Sequence, residues 1–307
     1  MREPELTYEG RALARPDDEI VDQGLGFDIG TLFSRRRALR VLGLGAAGVA
    51  LTACSPGSGS SSATTSSTTS PSSSPSASAG LAEIPDETAG PYPGDGSNGP
   101  DILAESGVVR SDIRSSFGTS NTTAAGVPMS LELTIANLAQ GGSAFAGVAV
   151  YVWHCDRDGR YSMYSEGVEN ENYLRGVQIA DGSGRVKYTS VFPACYDGRW
   201  PHIHFEVYPD QASISDSANA IAISQVALPQ DVCEKVYAES GYEQSVSKLA
   251  KVTLTSDNVF RDDGGATQLA TVTGDVTSGY TVSLNVGVDT TTEPAGGRMP
   301  GGSPRSR

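Results

Sequence analysis

Between residues 82 and 288 the hydrophobic positions fall in short runs bounded by Gly, Pro, Asp or Ser, and no long stretch carries the spacing of an amphipathic helix. Leu131-Glu132-Leu133-Thr134-Ile135 and Thr281-Val282-Ser283-Leu284-Asn285-Val286 alternate apolar with polar residues, so each predicts a strand that buries one face. The full set of predicted strands is 130–137, 147–154, 185–192, 202–208, 220–228, 251–255 and 280–286, with one short helix over 230–242. Turn signals at Asp158-Gly159 and Asp181-Gly182-Ser183-Gly184 separate successive runs at hairpin-like distances. The pattern predicts an all-β protein, a two-sheet β-sandwich with long loops.

The flanks read differently. Ser34-Arg35-Arg36-Arg37 precedes a small, apolar run from 41 to 53 that is too short for a comfortable membrane span. Paired arginines before such a run resemble a twin-arginine export signal, a route taken by proteins that fold before translocation. The run ends in Leu51-Thr52-Ala53-Cys54, which resembles a bacterial lipobox with Cys54 as the lipidated residue. Residues 55–81 are almost all Ser, Thr, Pro, Ala and Gly, a composition that cannot bury enough apolar surface to offset the entropy of ordering. The expected organisation is a signal and lipobox over 1–54, a tether over 55–81, a folded domain over 82–290 and a tail over 291–307. It places the domain on the extracytoplasmic face of a bacterial membrane, held by a lipid on Cys54. A net charge of -14 without a basic patch argues against a nucleic-acid partner.

The stretch from Phe192 to Phe205 carries the candidate chemistry. On a strand, residues two apart share a face, so His202 and His204 present both imidazoles to one point while Ile203 faces away. The chain has only 3 histidines, which makes a chance His-x-His less common. Tyr196 precedes the pair on a loop bounded by Pro and Gly, and Tyr161 follows a second loop, Asp156-Arg157-Asp158-Gly159-Arg160. Phenolate oxygen with imidazole nitrogen suits a hard, oxidised iron. Tyrosine is also a common core residue with a bonded hydroxyl, so spacing alone leaves each of the two open to a structural role. His154 ends a strand away from the pair and reads as structural or supporting. Trp153, Trp200 and Tyr164 are candidates for an aromatic wall. Beyond Cys54, the odd number of cysteines leaves a Cys155–Cys195 bridge as the preferred pairing, Cys195–Cys233 as its alternative, and a free thiol open.

At these residues the chain resembles the intradiol ring-cleavage dioxygenases, the catechol and protocatechuate 3,4-dioxygenase family, and its exported, lipoprotein-like bacterial members in particular. The resemblance runs over residues 87–228 through Glu87-Thr88-Ala89-Gly90-Pro91-Tyr92, Asp158-Gly159-Arg160-Tyr161 and the segment from Arg199 to Phe205. It departs at Ala194-Cys195-Tyr196 and Arg199-Trp200-Pro201-His202, and no motif is placed after Leu228. The resemblance implies a non-haem Fe(III) held by Tyr161, Tyr196, His202 and His204, with Arg199 and Gln225 facing the substrate. It also implies that both atoms of O2 enter a catechol-like aromatic to give a cis,cis-muconate-type diacid. Tyr196 would leave the metal as a base, and Arg199 would stabilise developing negative charge. A reading of another class is a noncatalytic cell-surface module that binds iron, aromatics or carbohydrate, since sandwich domains host many functions.

Overall fold

A computed structural model describes residues 80–294, together with the backbone of two paired two-residue strands, β1 (Thr7–Tyr8) and β2 (Arg11–Ala12). The proposed export segment, Cys54, and nearly all of the tether and tail lie outside the described residues.

The domain is an all-β sandwich of two sheets. One sheet contains β3 (Pro128–Asn137), β4 (Ser143–Ala144), β7 (Arg185–Val191), β10 (Thr271–Asp275) and β11 (Gly279–Val288). The other contains β5 (Ala149–Trp153), β6 (Arg175–Ile179), β8 (His202–Tyr208) and β9 (Ala222–Ala227), in the order β6-β5-β8-β9. The alternating segments at either end of the domain meet each other, because β11 runs parallel to β3 with Leu284 opposite Leu133. Leu131, Leu133, Ile135, Val282 and Val286 from the first sheet pack against Val150, Val152, Ile203, Phe205 and Val207 from the second. Each fully buried aliphatic side chain contributes about 1.5–3 kcal/mol.

β8 is buried along its whole length, HIHFEVY. Its odd-numbered residues, Ile203, Phe205 and Val207, face the core between the sheets. Its even-numbered residues, His202, His204, Glu206 and Tyr208, face outward and are buried all the same. That outer face is covered by a second apolar cluster, including Ile102, Leu103, Val108, Tyr151, Trp153, Tyr161 and Ile223, which brings an N-terminal arm and the 154–174 loop over the sheet. A polar row buried on the covered face of a sheet is where the site forms.

The structure differs from expectation in several elements. The segment 251–255 is turn rather than strand, and Thr253 there accepts from Ser256 and Asp257 instead of a strand neighbour. The expected helix over 230–242 is the helix Gln230–Tyr237, followed by a second, Glu243–Leu249. β6 was not anticipated, because Arg175-Gly176 interrupts its short apolar pattern; β10 is too polar to stand out. The turn at 181–184 carries the chain from β6 in one sheet to β7 in the other rather than closing a hairpin, with Asp181 Oδ1 accepting from the Ser183 and Arg185 amides. The expected Cys155–Cys195 bridge is not formed, nor is Cys195–Cys233: all three are buried free thiols. The Cys155 thiol lies 3.7 Å from the carbonyl of Ala194, whereas the Cys195 thiol lies 3.5 Å from that of Arg199, so each points to its own backbone acceptor.

Candidate metal centre

Strand register places the two histidines. His204 stands between Trp153 on β5 and Gln225 on β9, and His202 stands opposite Ala227. His202 Nδ1 donates to the carbonyl of Trp200 at 2.6 Å, which leaves Nε2 as the lone-pair nitrogen. The two Nε2 atoms lie 3.0 Å apart.

Both tyrosines come from loops locked to each other. The Asp156 carboxylate accepts from the Asp158 and Arg160 amides and from Tyr173 Oη, and its backbone carbonyl accepts from Ala194 N at 3.2 Å. Gly159, at φ 86°, sits where an added Cβ would be 3.4 Å from Tyr196 Cβ, so the two loops close on a left-handed glycine. Tyr196 Oη is then 3.1 Å from His202 Nε2 and 3.5 Å from Tyr161 Oη. The four oxygen and nitrogen atoms read from sequence converge on one point.

Burial pushes the Tyr196 phenol up to about 12 and holds Tyr161 well above its usual range, with Tyr196 adding to that second effect. Burial, followed by the nearby Arg199 cation, takes His202 down to about 3; burial and His202 likewise keep His204 well below its ordinary value. Without a cation, therefore, the cluster is two neutral phenols around two neutral imidazoles. The two Nε2 atoms are in hydrogen-bond contact, and His204 Nδ1 is buried without a hydrogen-bond partner among the described residues. A bound cation inverts this logic by stabilising phenolate and lone-pair nitrogen alike. The described residues contain no group of three or more His, Cys, Asp or Glu able to hold a metal, so a resident metal would depend on the tyrosines. The donor set fits a hard, highly charged ion.

Arg199 and Gln225 adjoin this cluster. Arg199 Nη2 donates to Gln225 Oε1 at 2.7 Å, and Gln225 Nε2 donates to the carbonyl of Thr88 at 3.0 Å. The arm thereby lies across the site: an added Cβ on Gly90 would be 3.3 Å from His204 Cε1, and Tyr92 packs on Tyr161 with ring centroids 4.9 Å apart. Arg175 clamps the same arm by donating to the carbonyls of Tyr92 and Pro93. Of the candidate aromatic wall, Trp153 stacks on His204 and Tyr164 packs beside Tyr92, while Trp200 belongs to the core between the sheets and donates to Leu228 O. His154 is bonded to Cys155 O and Ser190 Oγ, away from the four donors.

Sequence reasoning missed Asp257, a fully buried carboxylate 2.9 Å from Arg199 Nε. It lies beyond the last motif, in an irregular segment without periodicity. Burial works against the Arg199 cation, but Asp257 and Tyr196 outweigh it and hold its proton more tightly than usual. Glu87, in the arm, is raised to about 8 by burial and by Asp262.

Two tyrosines and two histidines thus meet on the covered face of one sheet of an all-β sandwich. Residues 98–203 match the family model described as Dioxygenase, a span that includes Tyr161, Tyr196, Arg199 and His202. An intradiol ring-cleavage dioxygenase from Tetranychus urticae is 20% identical, with a TM-score of 0.55 over 70% of this chain and 98% of that one. A second solved structure, dioxygenase Tetur07g02040, is also 20% identical, with a TM-score of 0.56 over 70% and 98%. The dioxygenase domain of a carbohydrate-binding fusion protein from Streptomyces sp. SirexAA-E is 18% identical, at a TM-score of 0.43 over 68% and 99%. The chain therefore resembles the intradiol ring-cleavage dioxygenases in its matched segment as well as its motifs, and it has their fold.

Proposed function

We propose that this protein is an intradiol dioxygenase acting on a catechol-type aromatic, with a non-haem ferric ion held by Tyr161, Tyr196, His202 and His204. The observation that carries the reading is the convergence of those four donor atoms beside Arg199 and Gln225. When bound, ferric iron would supply Lewis-acid activation of the catechol toward dioxygen, leading to a cis,cis-muconate-type product.

The chain's own residues account for the remaining needs. Tyr196 is the most exposed of the four, and as a phenolate it takes a proton from a substrate hydroxyl at Oη. Arg199 keeps Nη1 without a partner among the described residues, so that edge is available to an oxyanion on the substrate. Gln225 holds Arg199 on one side and the arm on the other, while the arm's Gly90 and Tyr92 exclude water from His204 and Tyr161.

The Arg35-Arg36 signal and Cys54 support export and lipid anchoring at the extracytoplasmic face of a bacterial membrane. Among the described residues, no helix is long and apolar enough to cross a membrane.

Ferric reconstitution tests the function. The loaded protein is expected to turn red-brown through tyrosinate-to-iron charge transfer and to consume oxygen when given catechol. A colourless protein that stays inert after reconstitution would refute it.

A further inference from the structure

Asp257 has no solvent exposure, and its charge is met entirely by N–H donors. Oδ2 accepts from Trp200 N at 2.7 Å and Arg199 Nε at 2.9 Å; Oδ1 accepts from Val259 N at 2.8 Å and Phe260 N at 3.1 Å. Two of those donors lead into the site. Arg199 is gripped along its Nε edge by Asp257 and at Nη2 by Gln225, which fixes the plane of the guanidinium and the direction of Nη1. The backbone of Trp200 is held on both sides of its Cα: the N–H of the Arg199–Trp200 peptide goes to Asp257, and the carbonyl of the Trp200–Pro201 peptide accepts from His202 Nδ1 at 2.6 Å. That second bond selects the tautomer of His202 and turns Nε2 toward the other three donors.

We propose that Asp257 is a positioning residue which sets Arg199 for substrate and, through the backbone of Trp200, His202 for metal. A carboxylate serving only as a structural counter-ion would need to neutralise Arg199 and nothing more. Asp257 instead uses Oδ2 to hold both the guanidinium and the backbone N–H of Trp200, the residue whose carbonyl orients a ligand. The part concerning substrate rests on the dioxygenase reading; the part concerning Arg199 and His202 geometry does not.

The test compares wild type with Asp257→Asn, which keeps size and one carbonyl acceptor but removes the charge. In nitrogen-15 NMR of the metal-free full chain, wild-type His202 is expected as the Nδ1–H tautomer, with Arg199 Nε–H protected from solvent exchange. Asp257→Asn is expected to lower that protection by about tenfold or more and to mix the tautomers. After ferric loading, it should reduce kcat/KM for catechol by about 100-fold, the scale of a misplaced reacting group. Asp263→Asn removes a charge that, among the described residues, is hydrogen-bonded only to Gly265 N, and it should change none of these readings.

A folded Asp257→Asn protein with wild-type Arg199 protection and a single His202 tautomer would overturn the proposal. If the variant does not fold, wild type still decides: an unprotected Arg199 Nε–H or an Nε2–H tautomer at His202 overturns it. If ferric-loaded wild type consumes no oxygen, the dioxygenase reading fails while the NMR readings continue to judge Asp257.

Discussion

Trp153 lies flat against His204, with ring centroids 4.8 Å apart and planes inclined by 8°. Register makes the pair, since the two residues stand opposite each other across β5 and β8. The stack fixes the imidazole plane, and with it the direction of the Nε2 lone pair. Trp153→Ala is expected to cost about 3–5 kcal/mol of stability, as large aromatic truncations in cores do. It should also weaken ferric binding by about 10- to 100-fold, as the loss of a supporting contact to a ligand does. Trp153→Phe keeps an aromatic face and should retain most of the binding. Urea unfolding of the metal-free protein and a ferric titration read the two effects separately.

Arg175 performs a different task, tying the arm to the sheet from a position 1% exposed. Its guanidinium donates to the carbonyls of Tyr92, Pro93 and Ser162 and to the hydroxyls of Tyr151 and Ser162. Lysine offers three donors from one point and cannot span that set. In Arg175→Met the buried Ser162 carbonyl loses this donor, at a cost of about 1–3 kcal/mol. Hydrogen exchange should show the loss locally, with the Gly94 and Ile102 amides of the arm exchanging faster than those of β8.

How much of this was legible in the sequence depended on the range of each interaction. The sharing of a face by His202 and His204 follows from the two-residue period of a strand, and β8 has the expected bounds, His202–Tyr208. The strands around it were legible wherever apolar residues alternated. Tyr161 and Tyr196 could be assigned only through family motifs, because their meeting depends on the Asp156 bridge between loops. Gln225 acquires meaning from its register opposite His204, which no local pattern encodes. Asp257 is further removed still: it reaches Arg199 across 58 positions from an irregular segment in which no element was expected. The cysteine pairing failed for a related reason, since the thiols of neighbouring loops point toward separate carbonyls.

His154 makes acid stability a measurable property of the metal-free protein. Burial takes its imidazole down from 6.5 to about 4, against the opposing hydrogen bond to the Cys155 carbonyl. The folded state thus keeps His154 neutral where the unfolded chain protonates it. Above 6.5 both states are neutral and the group contributes no pH dependence; as pH falls from 6.5 toward 4, the unfolded state gains a proton and stability drops. The full effect is roughly 3 kcal/mol at 1.36 kcal/mol per pH unit. His202 and His204, also depressed by burial, act in the same direction, so His154→Gln should make the slope of stability against pH shallower in that window by its own share, as measured by chemical denaturation at several pH values. An unchanged slope would show that His154 does not contribute to it.

Gly90 supplies the narrowest steric requirement at the site. Its φ of 74° is a left-handed conformation, and a Cβ there would stand 3.3 Å from His204 Cε1. The imidazole has little room to retreat, because its ring is stacked on Trp153. Gly90→Ala therefore adds a contact to backbone strain, the strain alone costing about 1–2 kcal/mol. Gly118→Ala separates the two effects: φ there is 75°, yet nothing lies within 4 Å of the added Cβ. Both variants should lower Tm, but only Gly90→Ala should weaken ferric binding, since only there does the new methyl group press on a ligand. Equal metal affinity in the two variants would mean that the arm yields to the methyl group and that His204 holds its place without it.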